Sequence, residues 1–204
     1  MTELDQELED RIGNIETQLQ QLNQIPILLD RIAKMTEQIN TLEGSLSLVS
    51  DLHRFGNLRK LLMAGKFKEA DRETVKILLE IAGKNRSDLT PDDVKQFPCS
   101  LLRIIDLLWK EHSNQRFGFS VQLKIYLSVG GSLDSLIAQD NQFLVKLGDR
   151  NGWRVNNQWQ NANYEQWDFS TSAPEGCFPA AWWNSPYGAK MINFFFARLI
   201  ACEF

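Results

Sequence analysis

Few side chains in this 204-residue chain have the type and spacing for bond-making chemistry. The two histidines, His53 and His112, could move a proton or ligate a metal, because imidazole titrates near neutral pH. Neither belongs to an HExxH or similar ligand pattern, and His112 falls where a helix should end, a place that favours a cation. Asp92 and Asp93 could be read as an acid and a base. Adjacent positions on a helix do not face one point, however, and helix capping accounts for both. Cys99, Cys177 and Cys202 are odd in number, far apart and without a CxxC pair, which predicts three free, largely buried thiols and no zinc site. There is no phosphate-cradling glycine loop, no GxSxG and no haem-attachment motif. The residues predict no catalytic centre, no metal site and no required cofactor.

The unusual chemistry lies in the aromatics. Twelve Phe, six Trp and three Tyr all fall at or after Phe55, and Trp153, Trp159, Trp167, Trp182 and Trp183 lie where the helical pattern fails. Such residues could cover a small helical core. They could equally hold a flat, apolar ligand between their faces, since binding pockets are mostly apolar with a few placed polar groups. Charge divides the chain at nearly the same place: residues 1–50 carry nine acidic and three basic side chains, against a total of −4 for the whole. With no Lys/Arg block, nucleic acid is not an expected partner. An acidic N-terminus without an apolar run predicts no signal peptide and a cytoplasmic location.

The elements that position these residues follow from periodicity. Leu8, Ile12, Ile15, Leu19 and Leu22 alternate spacings of 4 and 3, the seam of a coiled coil. Pro26 interrupts it, and a second register runs through Leu28, Ile32, Met35, Ile39, Leu42, Leu46 and Val49. Residues 24–26 are then either the turn of an antiparallel helical hairpin or a kink in one long helix that pairs with another chain. Self-association through residues 8–49 is expected, with 51–56 as a linker and 57–204 as a second domain.

In that domain Leu58, Leu61 and Leu62 predict one short helix. Ala70, Thr74, Ile77, Leu78 and Ile81 predict another, ended by Gly83. Thr90-Pro91-Asp92-Asp93 is a helix start, with an N-cap, a proline at the first position and acids in the first turn. A helix is expected over 100–112 with Leu101, Ile104, Ile105, Leu108 and Trp109 on one face, then helix over 119–128 and one or two more over 133–147. Beyond Gly148 the pattern gives way to turns. The apolar run 191–202 is too short to span a bilayer and reads as a packed terminal helix, with peripheral membrane contact through Phe194, Phe195 and Phe196 as the lesser alternative. The fold class is all-α.

One run is specific. Gln96-Phe97-Pro98 through Ile105-Asp106-Leu107-Leu108-Trp109, followed by His112-Ser113-Asn114-Gln115-Arg116-Phe117-Gly118-Phe119-Ser120-Val121-Gln122, resembles the signature of the genomes-uncoupled family of porphyrin-binding regulators of magnesium chelatase. Leu61 to Asp71 resembles the family's opening helical hairpin. Gly152-Trp153-Arg154, Trp159 and Ser172-Ala173-Pro174-Glu175-Gly176 resemble its closing loops. Where the family commonly has Gly-His-Leu-Pro, this chain reads Gly176-Cys177-Phe178-Pro179.

The resemblance implies a helical cup whose concave face and loops take up protoporphyrin or its magnesium derivative, with no catalysis of its own. It implies an apolar palm of Val94, Phe97, Phe117 and Phe119, covering loops bearing Trp159, Trp167 and Phe178, and propionate partners in Arg116 and Arg154. It also implies the large subunit of magnesium chelatase as a partner. An oligomeric adaptor that senses a porphyrin or bilin through the same domain is the alternative.

Overall fold

The structure, a computed structural model, describes the backbone of residues 11–15 and 25–204, and the side chains of these residues apart from 40–53. The chain divides into two units, Met1–Leu52 and His53–Phe204.

Residues 11–15 are helical, and helix α1 runs over Ile25–Met63. Pro26 sits in the first turn of α1, where a missing N–H costs nothing because that donor has no helical partner. Leu8, Leu19 and Leu22 of the first seam lie outside the described residues. Ile12, Ile15, Ile25, Leu28, Ile32, Met35 and Ile39 are all exposed. Residues 51–56, expected as a linker, are helical and belong to α1.

The second unit is built on short helices. Phe55, Leu58 and Leu62 of α1 are buried, and the chain turns at Gly65 into α2, Phe67–Ala82. Phe67, Ala70, Asp71, Thr74, Ile77 and Leu78 form the buried stripe of α2. Gly83, at φ 63°, ends it with N–H bonds back to the last carbonyls. Helix α3, Pro91–Val94, starts in the expected capping box: the Asp93 N–H donates to Thr90 Oγ1 and the Thr90 N–H to the Asp93 carboxylate. The Thr90 hydroxyl, at 2.7 Å, and the Thr90 N–H both donate to the Asp93 carboxylate and hold it below its ordinary range.

Helix α4, Cys99–Glu111, buries a stripe one residue away from the expected face, through Leu102, Ile105, Asp106 and Trp109, with Leu101, Ile104 and Leu108 half-buried. The displacement has a cause in Asp106. Its carboxylate accepts the Ser120 N–H at 2.8 Å at the start of α5, Phe119–Ser128, so a polar residue occupies the buried side. Helices α6, Leu133–Ile137, and α7, Gln142–Asn151, follow. Helix α7 continues three residues past Gly148, to Asn151, because Gly152 at φ 80° supplies the terminating left-handed residue. A two-residue hairpin, β1 Arg154–Val155 paired antiparallel with β2 Gln158–Trp159, turns on Asn156 and Asn157, both at positive φ. Two 3-10 segments, Asn161–Gln166 and Ala181–Trp183, lead into α8, Ala189–Ala201. Among the described residues the domain is all-α apart from this hairpin.

Met191, Ile192, Phe195, Phe196 and Leu199 of α8 are buried, and the helix packs against α3, α5 and α6. The apolar terminal run is thus core, with Phe194 alone of the three phenylalanines reaching solvent. No helix of the described residues is long and apolar enough to cross a membrane. One expectation is corrected. Cys99 and Cys202 are joined in a disulfide with Cα atoms 5.3 Å apart, tying the end of α8 to the start of α4, and only Cys177 is a free, buried thiol. Spacing alone could not show a pairing that helix packing creates across 103 residues.

Gly118 tests how tightly the Phe117-Gly118-Phe119 run is held. Its φ is 138°, and a Cβ there would lie 2.6 Å from the Asp106 carboxylate. Gly118→Ala is expected to lose about 1–3 kcal/mol, measured by chemical denaturation, because strain and a clash with a capping group coincide.

Candidate functional site

A cleft of about 300 Å³ opens between α2 and the two 3-10 segments, lined by Arg72, Arg86, Tyr164, Glu165, Trp167 and Trp183 among others. A shallower hollow of about 490 Å³ adjoins it along α2, past Val75, Lys76, Leu79 and Lys84. Arg72 and Arg86 border both. Four cations, Arg72, Lys76, Lys84 and Arg86, face this surface against two carboxylates, Glu80 and Glu165. The excess is positive.

The cations are placed differently. Arg72 stands on the solvent side of α2, paired with Glu165 at 2.6 Å, and Lys68 reaches the same carboxylate at 2.7 Å. These two partners hold the Glu165 carboxyl below its usual range. Both pairs are exposed and contribute little to stability, so Arg72 can exchange partners at low cost. Arg86 is held by the carbonyls of Ala181 at 2.7 Å and Asn184 at 3.4 Å. The Trp183 ring lines the cleft, and its indole N–H is buried without a hydrogen-bond partner.

Behind this wall sits Asp71, wholly buried. Its carboxylate accepts four contacts from cleft residues: the Ala180 N–H at 2.8 Å, the Ala181 N–H at 3.1 and 3.0 Å, and the Tyr164 hydroxyl at 2.8 Å. Burial dominates and pushes the carboxyl up to about 6, although the Tyr164, Ala180 and Ala181 bonds and the Arg86 charge all oppose the shift. The Tyr164 phenol is raised by its own burial and by the Asp71 charge beside it. Asp71 does no chemistry on a ligand from this position; it fastens both 3-10 segments to α2.

The residues implicated by sequence are placed differently. Trp167 alone lines the main cleft; its N–H is fixed by the Gln160 carbonyl at 3.1 Å. Val94 and Phe97 border a void of about 10 Å³ with Leu79, Arg86 and Trp182, room for no more than one water. Phe117, Phe119 and Phe178 are wholly buried. Phe117 packs on Phe67, Trp109 and Phe178 with centroids 5.5, 6.4 and 5.2 Å away, and Phe119 on Phe195 at 4.9 Å. Phe178 touches Trp167 at 6.2 Å and so backs the cleft without lining it. Trp159 is half-buried against Trp183 at 5.8 Å.

Neither predicted guanidinium borders the cleft. Arg116 donates to the Ala173 carbonyl at 2.7 Å, and Arg154 holds Asp149 at 2.8 and 3.1 Å. The guanidiniums at the cleft are Arg72 and Arg86, which sequence reading passed over because each looks like an ordinary surface residue. Asp71 did leave a signal: an acid on the apolar stripe between Phe67 and Thr74. Among the described residues no cluster of His, Cys, Asp and Glu could hold a metal ion.

The signature run and the closing loop are joined by the backbone. The Gly118 N–H donates to the Phe178 carbonyl at 2.9 Å and the Gly176 N–H to the Arg116 carbonyl at 2.8 Å. The Gln122 amide reaches the Pro179 carbonyl at 2.8 Å and the Trp153 indole the Cys177 carbonyl at 2.7 Å. A cis peptide bond precedes Pro179. Burial raises the Cys177 thiol well above its ordinary value, so Cys177 is no nucleophile here.

Comparison with known proteins identifies relatives of the chain. A Ycf53-like protein of Synechocystis is 34% identical over 126 residues, 60% of this chain and 48% of that protein. A chloroplastic tetrapyrrole-binding protein of Arabidopsis thaliana is 40% identical over 78 residues, 37% of this chain and 29% of that protein. The chain spans about half the length of the curated relatives it matches. The ligand-free structure of Arabidopsis thaliana GUN4 superposes with a TM-score of 0.54 at 25% identity, covering 70% of this chain and 94% of that one. The GUN4-like family model matches residues 49–196, which contain the cleft, the signature run and the closing loops, and the chain belongs to that family.

Proposed function

We propose that the domain is a non-catalytic tetrapyrrole carrier that binds protoporphyrin or Mg-protoporphyrin as a ligand and presents it to magnesium chelatase, whose large subunit is its partner. The observation that carries this reading is a cleft with Trp167 and Trp183 on its wall and Arg72 and Arg86 at its border. A porphyrin brings a flat apolar macrocycle and two propionates, for which aromatic faces and guanidiniums are the matching chemistry. Burying much of the macrocycle at about 25 cal/mol/Å² gives an upper bound on the order of 10 kcal/mol. Ordering and association costs reduce this to micromolar or somewhat tighter binding, a range that suits release to a client. Family membership and the Arabidopsis relative's name support the same ligand class.

Titration of protoporphyrin into the purified chain is expected to quench tryptophan fluorescence saturably, and no quenching well above micromolar concentrations would end the reading. Arg72→Ala and Arg86→Ala should each weaken binding about tenfold, the size of one lost charged hydrogen bond. Arg116→Ala and Arg154→Ala, away from the cleft, should leave affinity within about twofold of the parent.

A second reading, an oligomeric adaptor that senses a pigment, is favoured by the exposed aliphatic line on α1. Self-association through residues 8–49 belongs to both readings. Chelatase assays separate them, since a carrier changes the chelation rate and an adaptor binds pigment without changing it.

A further inference from the structure

The described part of α1 leaves Ile25, Leu28, Ile32, Met35 and Ile39 in water, each between 43% and 60% exposed. They fall on a strict alternation of 3 and 4, so that Ile25, Ile32 and Ile39 occupy one seam position and Leu28 and Met35 the other. We propose that this seam pairs with the same seam of a second copy, in register, as a parallel two-stranded coiled coil. The proposal rests on the self-association stated above and adds strand number and direction.

Number and direction both follow from where the β-branched residues stand. In a parallel pair the two kinds of seam layer differ in geometry, and β-branched side chains at the first with leucine-like side chains, not branched at Cβ, at the second favour two strands over three or four. In an antiparallel pair every layer combines one position of each kind, and sorting Ile from Leu and Met would serve no purpose. Ile25, Ile32 and Ile39 are sorted from Leu28 and Met35 without exception over the described heptads. The sequence carries the repeat on through Leu42, Leu46 and Val49, where the last pair reverses the order.

The facing flank positions do not oppose the direction. In a parallel pair Arg31 meets Thr36, and Gln38 meets Glu43, with no like charges opposed. The Lys34–Asp30 pair, at 2.8 Å, lies within one helix and off the seam. Area is sufficient as well. Burying one Ile, Leu or Met side chain is worth about 1.5–3 kcal/mol, or roughly 60–120 Å² at 25 cal/mol/Å². Eight seam positions on each of two chains then remove about 1,000–1,900 Å², the range of a specific interface.

The full chain tests this in two steps. Light scattering after size exclusion is expected to give twice the 23.5 kDa chain mass. A monomer would overturn self-association, and a threefold or fourfold mass would overturn the two-stranded assignment. Leu28→Cys in the full chain, oxidised in air, is expected to form a covalent dimer on a non-reducing gel, whereas Ile27→Cys, outside the seam, is not. An antiparallel pair would carry Leu28 about 27 Å along the partner helix, and a dimer without the Leu28→Cys cross-link would overturn the parallel direction. Among the described cysteines no exposed thiol competes, since Cys177 is buried and the other two are paired. Protoporphyrin titration of the same samples reads the ligand site separately, so failure of the coil and failure of the tetrapyrrole reading are distinguishable.

Discussion

Asp71→Ala is expected to lower the stability of the domain by about 3–5 kcal/mol and to abolish pigment binding in whatever fraction still folds. The alanine leaves the buried Ala180 and Ala181 N–H groups without their acceptor, and the half-buried Tyr164 hydroxyl as well. It also frees both segments that wall the cleft. Urea denaturation with a parallel protoporphyrin titration checks both effects.

Asp71→Asn should be much milder, since one amide oxygen can still accept the two backbone N–H groups, and it supplies the pH test. The folded carboxyl titrates near 6, raised from 3.8 by burial. A raised carboxyl contributes stability that is complete below pH ~4 and is lost as the pH rises through about 6. From pH 4 to pH 7 the wild-type chain should therefore lose about 2 kcal/mol relative to Asp71→Asn, which has nothing to titrate at this site. A wild type that gained on the asparagine variant over this interval would show that the Tyr164, Ala180 and Ala181 bonds outweigh desolvation.

Phe117→Ala is expected to cost about 3–5 kcal/mol, the loss typical of a large ring removed from a closed core. Phe117 is wholly buried and edge-on to both Phe67 and Phe178. The residue stands in the signature run, where the family resemblance points to a ligand contact. Its position points to the scaffold instead: the folded fraction of Phe117→Ala should bind protoporphyrin with an affinity within about threefold of the parent. Trp167→Ala gives the opposite pattern. Its half-buried ring lines the cleft, so affinity should fall about tenfold while stability changes by about 1 kcal/mol or less. Affinity that collapses in Phe117→Ala yet survives in Trp167→Ala would place the ligand elsewhere.

Local signals of the fold were legible where a short-range rule applies. Thr90 to Asp93, Gly83 and the Asn156-Asn157 turn each act through neighbours a few residues away, and each stands where such a rule puts it. Helical periodicity was legible too, and it failed in an informative way at α4, where Asp106 occupies the buried side because it caps α5 from fourteen residues away. The helix over Ile25–Met63 also runs through the expected linker at 51–56, where no proline interrupts it; the choice between turn and kink before Pro26 falls on residues outside the described ones.

The sequence by itself determined an all-α domain preceded by an aliphatic seam, and through the Phe117-Gly118-Phe119-Ser120 run it pointed to the family. Tertiary structure decided which of the aromatic and basic residues stand at the cleft. Burial depends on what the rest of the chain packs against a side chain, so Phe117, Phe119 and Phe178 became scaffold while Trp167 and Trp183 became wall. The guanidiniums are placed by their acceptors: Ala173 and Asp149 hold Arg116 and Arg154 away from the cleft, whereas Glu165 holds Arg72 and the Ala181 and Asn184 carbonyls hold Arg86 at its border. The Cys99–Cys202 bond and the Asp71 anchor span about a hundred residues each, distances over which spacing carries no information and only packing brings partners together.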